Sequence, residues 1–229
     1  TGVQTCALPI CGNPAPHREA LRALTVALEQ WVLSGTLPPA SRYPRISDGT
    51  LVRPDLATFG WPKIPGVNFN TLTNEISLLD FGPDYDARWT SGILREPPAA
   101  TGKKYVILVP KIDADGNDVA GVRSTTIQAP LGTYSGWNLR RAGFAEGESC
   151  GLQGSYIPFA KTKAEREMAG DSRLSLAERY GNMSNYFKIV IVAAERLRAD
   201  GFLLEEDVVR VLDESKVNPG FPLQLSPPN

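Results

Sequence analysis

The most suggestive chemistry in this chain lies in Gly147-Glu148-Ser149-Cys150-Gly151, which has the G-x-S-x-G spacing. In acyl-transfer enzymes that spacing puts a serine nucleophile on a sharp strand-to-helix turn. Such a turn needs an apolar strand before it and a helix after it. Here LRRAGFAE (139–146) precedes and LQGSYIPF (152–159) follows, and neither reads that way. The general base should also follow the serine, yet the chain's one histidine, His17, stands far upstream. The motif therefore reads as a glycine-rich turn. His17, between Pro16 and Arg18, reads as a surface residue of a first helical turn. Asp113, Asp115, Asn117 and Asp118 are spaced like calcium ligands. That loop needs glycine at its sixth position and glutamate at its twelfth. Those positions hold Asp118 and Ser124, so the segment reads as a hairpin turn. One histidine and three cysteines (Cys6, Cys11, Cys150) without a C-x-x-C pair exclude the usual zinc sites. No residue of this chain is assigned a catalytic, metal-binding or cofactor-binding role.

Composition narrows the function classes further. Lys and Arg number 24 against 25 Asp and Glu, which argues against an electrostatic nucleic-acid binder. No apolar run reaches the ~18–20 residues of a membrane span. The chain is 42% hydrophobic and 21% charged, the composition of a folded protein. Its 21 glycines and 19 prolines among 229 residues exceed the average usage of about 7% and 5%, and predict long irregular connections.

The elements that must position these groups follow from periodicity. Pro16 to Ser34 reads as a helix, with Asn13 near its start as a cap and Gly35 after its last turn. Leu21, Leu24, Leu28 and Trp31 lie at helical spacing, and Ala20, Ala23 and Ala27 widen that face. Arg18, Arg22, Thr25 and Glu29 leave only a narrow polar stripe, so the helix calls for a large apolar partner. Its four large side chains should be more exposed than core residues. Thr36 to Ala100 reads as a long loop pinned by aromatics. A hairpin is predicted from Lys104–Lys111 through the turn 113–117 to Val119–Arg123, with a further strand at Ser124–Ala129. Capping boxes at Thr162/Glu165 and Ser175/Glu178 open helices. Ser184 would cap a helix from Asn185 to Ala199 with Tyr186, Val190, Ala193 and Leu197 on one face. Leu204 to Ser215 forms the last helix.

Several blocks occur together in a specific order. They are Asn13-Pro14 with RALTVALEQWVLSG, then LDFGP (79–83), VPKIDADGNDVAGVR (109–123) and APLGTYSGWNLR (129–140). GSYIPFAKTKAERE (154–167), GDSRLSLAERY (170–180) and FLLEEDVVRVL (202–212) complete the set. In combination they resemble the C-terminal half of a bacterial family of alpha/beta hydrolase domain proteins. The resemblance implies an α+β arrangement: the last helix of the hydrolase core, then a loop-rich extension with a β-hairpin or small sheet and C-terminal helices. The implied division is 11–36 for the end of the core, 37–218 for the extension and 219–229 for a disordered tail. Residues 1–10, TGVQTCALPI, look like a translated sequencing adapter and are set aside from fold reasoning. The nucleophile, acid and histidine of a serine hydrolase would be encoded upstream, and His17 does not match the family's histidine. Two functions follow. One is a fragment of a serine hydrolase acting on an ester or similar acyl bond of a small molecule, inactive by itself. The other is a non-catalytic binding or structural module of the same fold. With Cys6 assigned to the adapter, Cys11 and Cys150 remain as a candidate disulfide, the alternative being two free thiols. The bond would imply a secreted or periplasmic protein, and its absence a cytoplasmic one.

Overall fold

The computed structural model describes residues 15–70, 72–83, 85, 97–140, 142–150 and 154–216. Its architecture is mixed α+β. Helix α1 runs Arg18–Ser34, with His17 at the cap position making no side-chain cap bond and Gly35 closing the end in the left-handed conformation. The expected cap, Asn13, lies outside the described residues. α1 packs on the rest of the chain through its polar and small side: Glu19 and Ala23 are buried. Arg22 reaches Asp207 with Nε 3.0 Å from Oδ2 and Nη2 2.6 Å from Oδ1. Leu21, Leu24, Leu28 and Trp31 stay 55, 38, 54 and 49% exposed, as expected from the sequence.

All strand pairing among the described residues is antiparallel and two-stranded. β1 (Leu51–Val52) pairs with β4 (Val109–Pro110), and β2 (Ser77–Asp80) with β3 (Ala99–Lys104). β5 (Gly132–Ser135) pairs with β6 (Ser155–Pro158), matching Gly132 to Pro158 and Ser135 to Ser155. A four-residue helix, α2 (Leu56–Phe59), interrupts the long connection after β1, capped by the Asp55 side chain.

The broad hairpin expected over 104–123 does not form. Residues 105–108 are not strand, and Val109–Pro110 pairs with β1 instead. The reason is local competition: the Lys111 N–H bonds Thr50 O at 2.8 Å, so this edge is already occupied by β1. What remains of the hairpin is a tight turn closed by an Ile112–Asp118 bridge. The further strand expected at Ser124–Ala129 is instead a helical turn, α3 (Thr125–Gln128). Ser124 precedes it in an extended conformation, and Ala129 N–H bonds back to Thr125 O.

The core belongs to the last third of the chain. α4 (Lys163–Ala169) and α5 (Leu176–Tyr180) begin with the two expected capping boxes, each with both reciprocal bonds present. α6 (Met183–Ala199) starts earlier than expected, because Asn182 rather than Ser184 caps it by accepting the Asn185 N–H. Its Ile189–Val192 run has strand propensity. Helical spacing prevails because Tyr186, Val190, Ala193 and Leu197 bury together. α7 (Glu205–Lys216) adds Val208 and Val211. Tyr186, Val190, Leu197, Val208 and Val211 pack with Leu131, Phe159 and Leu176 into one cluster. No helix of the described residues is long and apolar enough to cross a membrane.

Candidate functional site

The carboxylate turn at 113–118 serves to hold strand β5. Asp113 Oδ1 accepts the N–H groups of Asp115 (2.9 Å) and Asn117 (3.0 Å), shaping the turn from within. Gly116 sits at φ +79°, where a side chain would be strained. Asn117, fully buried, donates to Gly132 O at 3.1 Å and accepts from Tyr134 N–H at 2.8 Å. Asp115 pairs with Arg179 of α5. The Asp113 and Asp115 carboxylates are thus engaged with protein groups, and the backbone of Asp118 forms the turn's closing bridge.

Behind this turn lies a set of tyrosines. Tyr134 and Tyr156 meet at a tilt of 35° with centroids 4.9 Å apart, and Tyr180 meets Tyr186 edge-on at 5.2 Å. Burial raises the Tyr134 and Tyr180 phenols well above the usual tyrosine range, and pushes Tyr186 up to about 12. All three stay protonated near neutrality, so none of them serves as a base there. Tyr180 Oη donates to Pro130 O at 2.7 Å. A cavity of about 690 Å³ is lined by Tyr134, Tyr156, Tyr186, Thr125 and Val190, with Arg18, Asp213 and Glu214 also on its wall. It can enclose an apolar group, but among the described residues no nucleophile paired with a base lines it.

Ser149 is exposed and lies on the return limb of a small hairpin, opposite Leu139. Arg140 N–H bonds Glu148 O at 2.8 Å, and Cys150 N–H bonds Asn138 O at 2.9 Å. This confirms a turn in place of a strand-to-helix elbow at residues 147–150. His17 is distant in the chain and exposed. It lines a cavity of about 370 Å³ together with Glu19, Ser124 and Thr125. Ser124 Oγ is buried there without a partner among the described residues, and no hydrogen bond joins it to His17. Sequence reasoning passed over Ser124, because a serine at the start of a predicted strand carries no distinguishing signal. Cys150 is buried and disulfide-bonded. Cys11, its expected partner, lies outside the described residues.

The residues that sequence reasoning did not single out are aromatic and amide groups at 59–69 and 137–138. Phe59, Trp61 and Phe69 pack against one another, and Trp61 meets Trp137 at 5.0 Å. The interleaved aromatics of the long loop were the available signal. What they assemble around depends on contacts across the fold.

Comparison with known proteins gives one match. The family model for the alpha/beta hydrolase domain matches residues 2–213. No curated protein and no solved structure matches the chain. The matched span covers most of the chain, including the carboxylate turn, the small hairpin and the helical core around which this geometry is built. The chain belongs to the alpha/beta hydrolase domain family.

Proposed function

We propose that this chain is the C-terminal portion of a serine hydrolase that cleaves an ester or similar acyl bond of a small molecule. The acyl transfer would use a serine, a histidine and an acid supplied by sequence upstream of it. Membership of the hydrolase family is the observation that carries the reaction class. Fold membership does not itself fix chemistry. The division of labour rests on the described residues, where Ser149 sits on a hairpin and no hydrogen bond joins His17 to Ser124 across the cavity they share. On this reading α1 is the last helix of the hydrolase core, and its leucine face packs on that core. Residues 37–218 then cover or line the active site.

The test is an assay of the chain with p-nitrophenyl acetate and butyrate beside a Ser149→Ala variant. No turnover above the blank is expected from either. The same gene extended upstream should hydrolyse one of the esters and be inactivated by a serine-directed fluorophosphonate. Turnover by the chain alone that disappears in Ser149→Ala would overturn the reading. An extended protein that folds but neither hydrolyses nor reacts would favour a binding module on the same fold. That second reading draws its support from the cavities described above, in which no described nucleophile is paired with a base.

A further inference from the structure

Two buried polar side chains adjoin Trp137 without a hydrogen-bond partner among the described residues. Asn138 is fully buried, and neither Oδ1 nor Nδ2 has a hydrogen-bond partner among the described residues. The Trp61 indole Nε1 is also buried and unpartnered. Folded proteins leave few buried polar groups unpaired, and an amide idle at both ends is uncommon among them. Between the two stands Trp137, next to Asn138 in the chain and packed on Trp61. Trp137 forms a wall shared by two cavities. One, of about 290 Å³, is lined by Phe59, Trp61, Phe69 and Trp137, with Asn70 and Asp118 among its polar groups. The other, of about 210 Å³, is lined by Asn138 with Asn68, Arg140 and Glu146.

We propose that this is a binding site for a hydroxylated saturated ring of the sugar or cyclitol type, seated on Trp137 and bonded by Asn138. The chemistry of the idle groups selects the ligand. A carboxamide presents a donor and an acceptor side by side, which matches two neighbouring hydroxyls, each able to donate and accept. A saturated ring also has a C–H face that covers the Trp137 wall while its hydroxyl edge meets Asn68 and Asn138 in the same cavity. A planar heterocycle suits the site poorly. The rings beside Trp137 and Phe69 are inclined at 41–50°, and the near-parallel pair, Phe59 and Trp61, is already stacked together. A quaternary ammonium is not selected either, because the cavity that holds Asn138 carries Arg140 as well as Glu146 and so offers a cation no net charge. The proposal goes beyond acyl transfer and requires no hydrolysis.

The test is saturation-transfer NMR on the full chain with methyl β-glucopyranoside, myo-inositol, adenine and tetramethylammonium, followed by titration of tryptophan fluorescence. Transfer to the ring C–H protons of the glucoside or inositol is expected, with a saturable fluorescence change. Asn138→Ala should weaken that binding at least tenfold. Because this variant removes a buried group, Trp137→Phe serves as a second. It keeps an aromatic wall but shrinks the stacking face, and should weaken binding several-fold with an unchanged circular dichroism spectrum. Transfer to neither hydroxylated ring would overturn the proposal, as would binding confined to adenine or tetramethylammonium. Equal affinity in a folded variant of either residue would overturn it as well, leaving water as the partner of the amide.

Discussion

Arg173 grips Asp171, two positions before it, through Nε to Oδ1 at 3.0 Å and Nη2 to Oδ2 at 2.6 Å, with both side chains almost fully buried. The same guanidinium donates to Thr133 Oγ1 at 2.8 Å and to Ile157 O at 2.9 Å. One planar fork thereby ties the loop between α4 and α5 to both strands of the β5–β6 pair. Arg173→Ala would strand the Asp171 carboxylate in the interior, where removing one partner of a buried pair costs about 3–5 kcal/mol. Arg173→Lys should recover only part of this, since an ammonium cannot reproduce the fork. Urea denaturation of the three proteins checks the order.

Gly132 is held by close approach. A β-carbon there would lie 2.5 Å from Ile157 O and 2.9 Å from Pro158 Cα, both backbone atoms that cannot swing aside. Gly→Ala within a strand ordinarily gains stability. Here Gly132→Ala should lose about 1–3 kcal/mol, the usual cost of overpacking. Gly136→Ala, where nothing lies within 4 Å, is the matched control and should change the denaturation midpoint little.

Glu178 gives the fold an acid dependence with a defined sign. The Arg166 hydrogen bonds, then those from Ser175, hold its carboxyl down at about 2, against an ordinary glutamate near 4.5. A carboxyl depressed in the folded state contributes stability that is present above the unfolded value and lost as pH falls through the folded one. The contribution should fade between about pH 4.5 and 2. Thermal unfolding followed across that window should be flatter in Glu178→Gln than in the unaltered chain. Parallel curves would show that the Arg166 pair has no such linkage.

Cys11 is the proposed partner of the Cys150 disulfide. Non-reducing peptide mapping should recover one cross-linked peptide containing Cys11 and Cys150. Reduction should lower stability by up to ~4–5 kcal/mol in the chain-entropy account of so long a loop. A cross-link to Cys6 would count against the pairing, and two thiols that titrate before reduction would count against an oxidising compartment as well.

The leucine face of α1 separates the chain from a longer protein. Leu28→Gln and Trp31→Gln, at half-exposed positions, should shift the stability of this chain by no more than about 0.5 kcal/mol. Ala23→Gln, at a position 3% exposed, should cost clearly more. In a protein extended upstream, Trp31→Gln should become destabilising, because the proposed hydrolase core then covers that face. Chemical denaturation of each variant in both lengths measures the difference.

Sequence alone determined the parts of this protein whose causes are local. The capping boxes at Thr162 and Ser175, the stop of α1 at Gly35 and the inward face of α6 each depend on residues within a turn or two. The turn that leads to Ser149 was also readable, because glycines at 143 and 147 favour one locally. Tertiary structure decided what the turn at 113–118 does. Carboxylates spaced like metal ligands become a lock on β5 only because Arg179, Gly132 and Tyr134 arrive there from elsewhere. It also decided that Val109–Pro110 pairs with Leu51–Val52 rather than with the segment just beyond it, since strand pairing is chosen among all edges within reach. Ser124–Ala129 curled into a helical turn for a related reason: a short segment has weak intrinsic preference and takes the form that its packing against α6 permits. The idle amide of Asn138 was beyond any reading of the sequence. Whether a buried group finds a partner depends on the three-dimensional arrangement of every side chain around it.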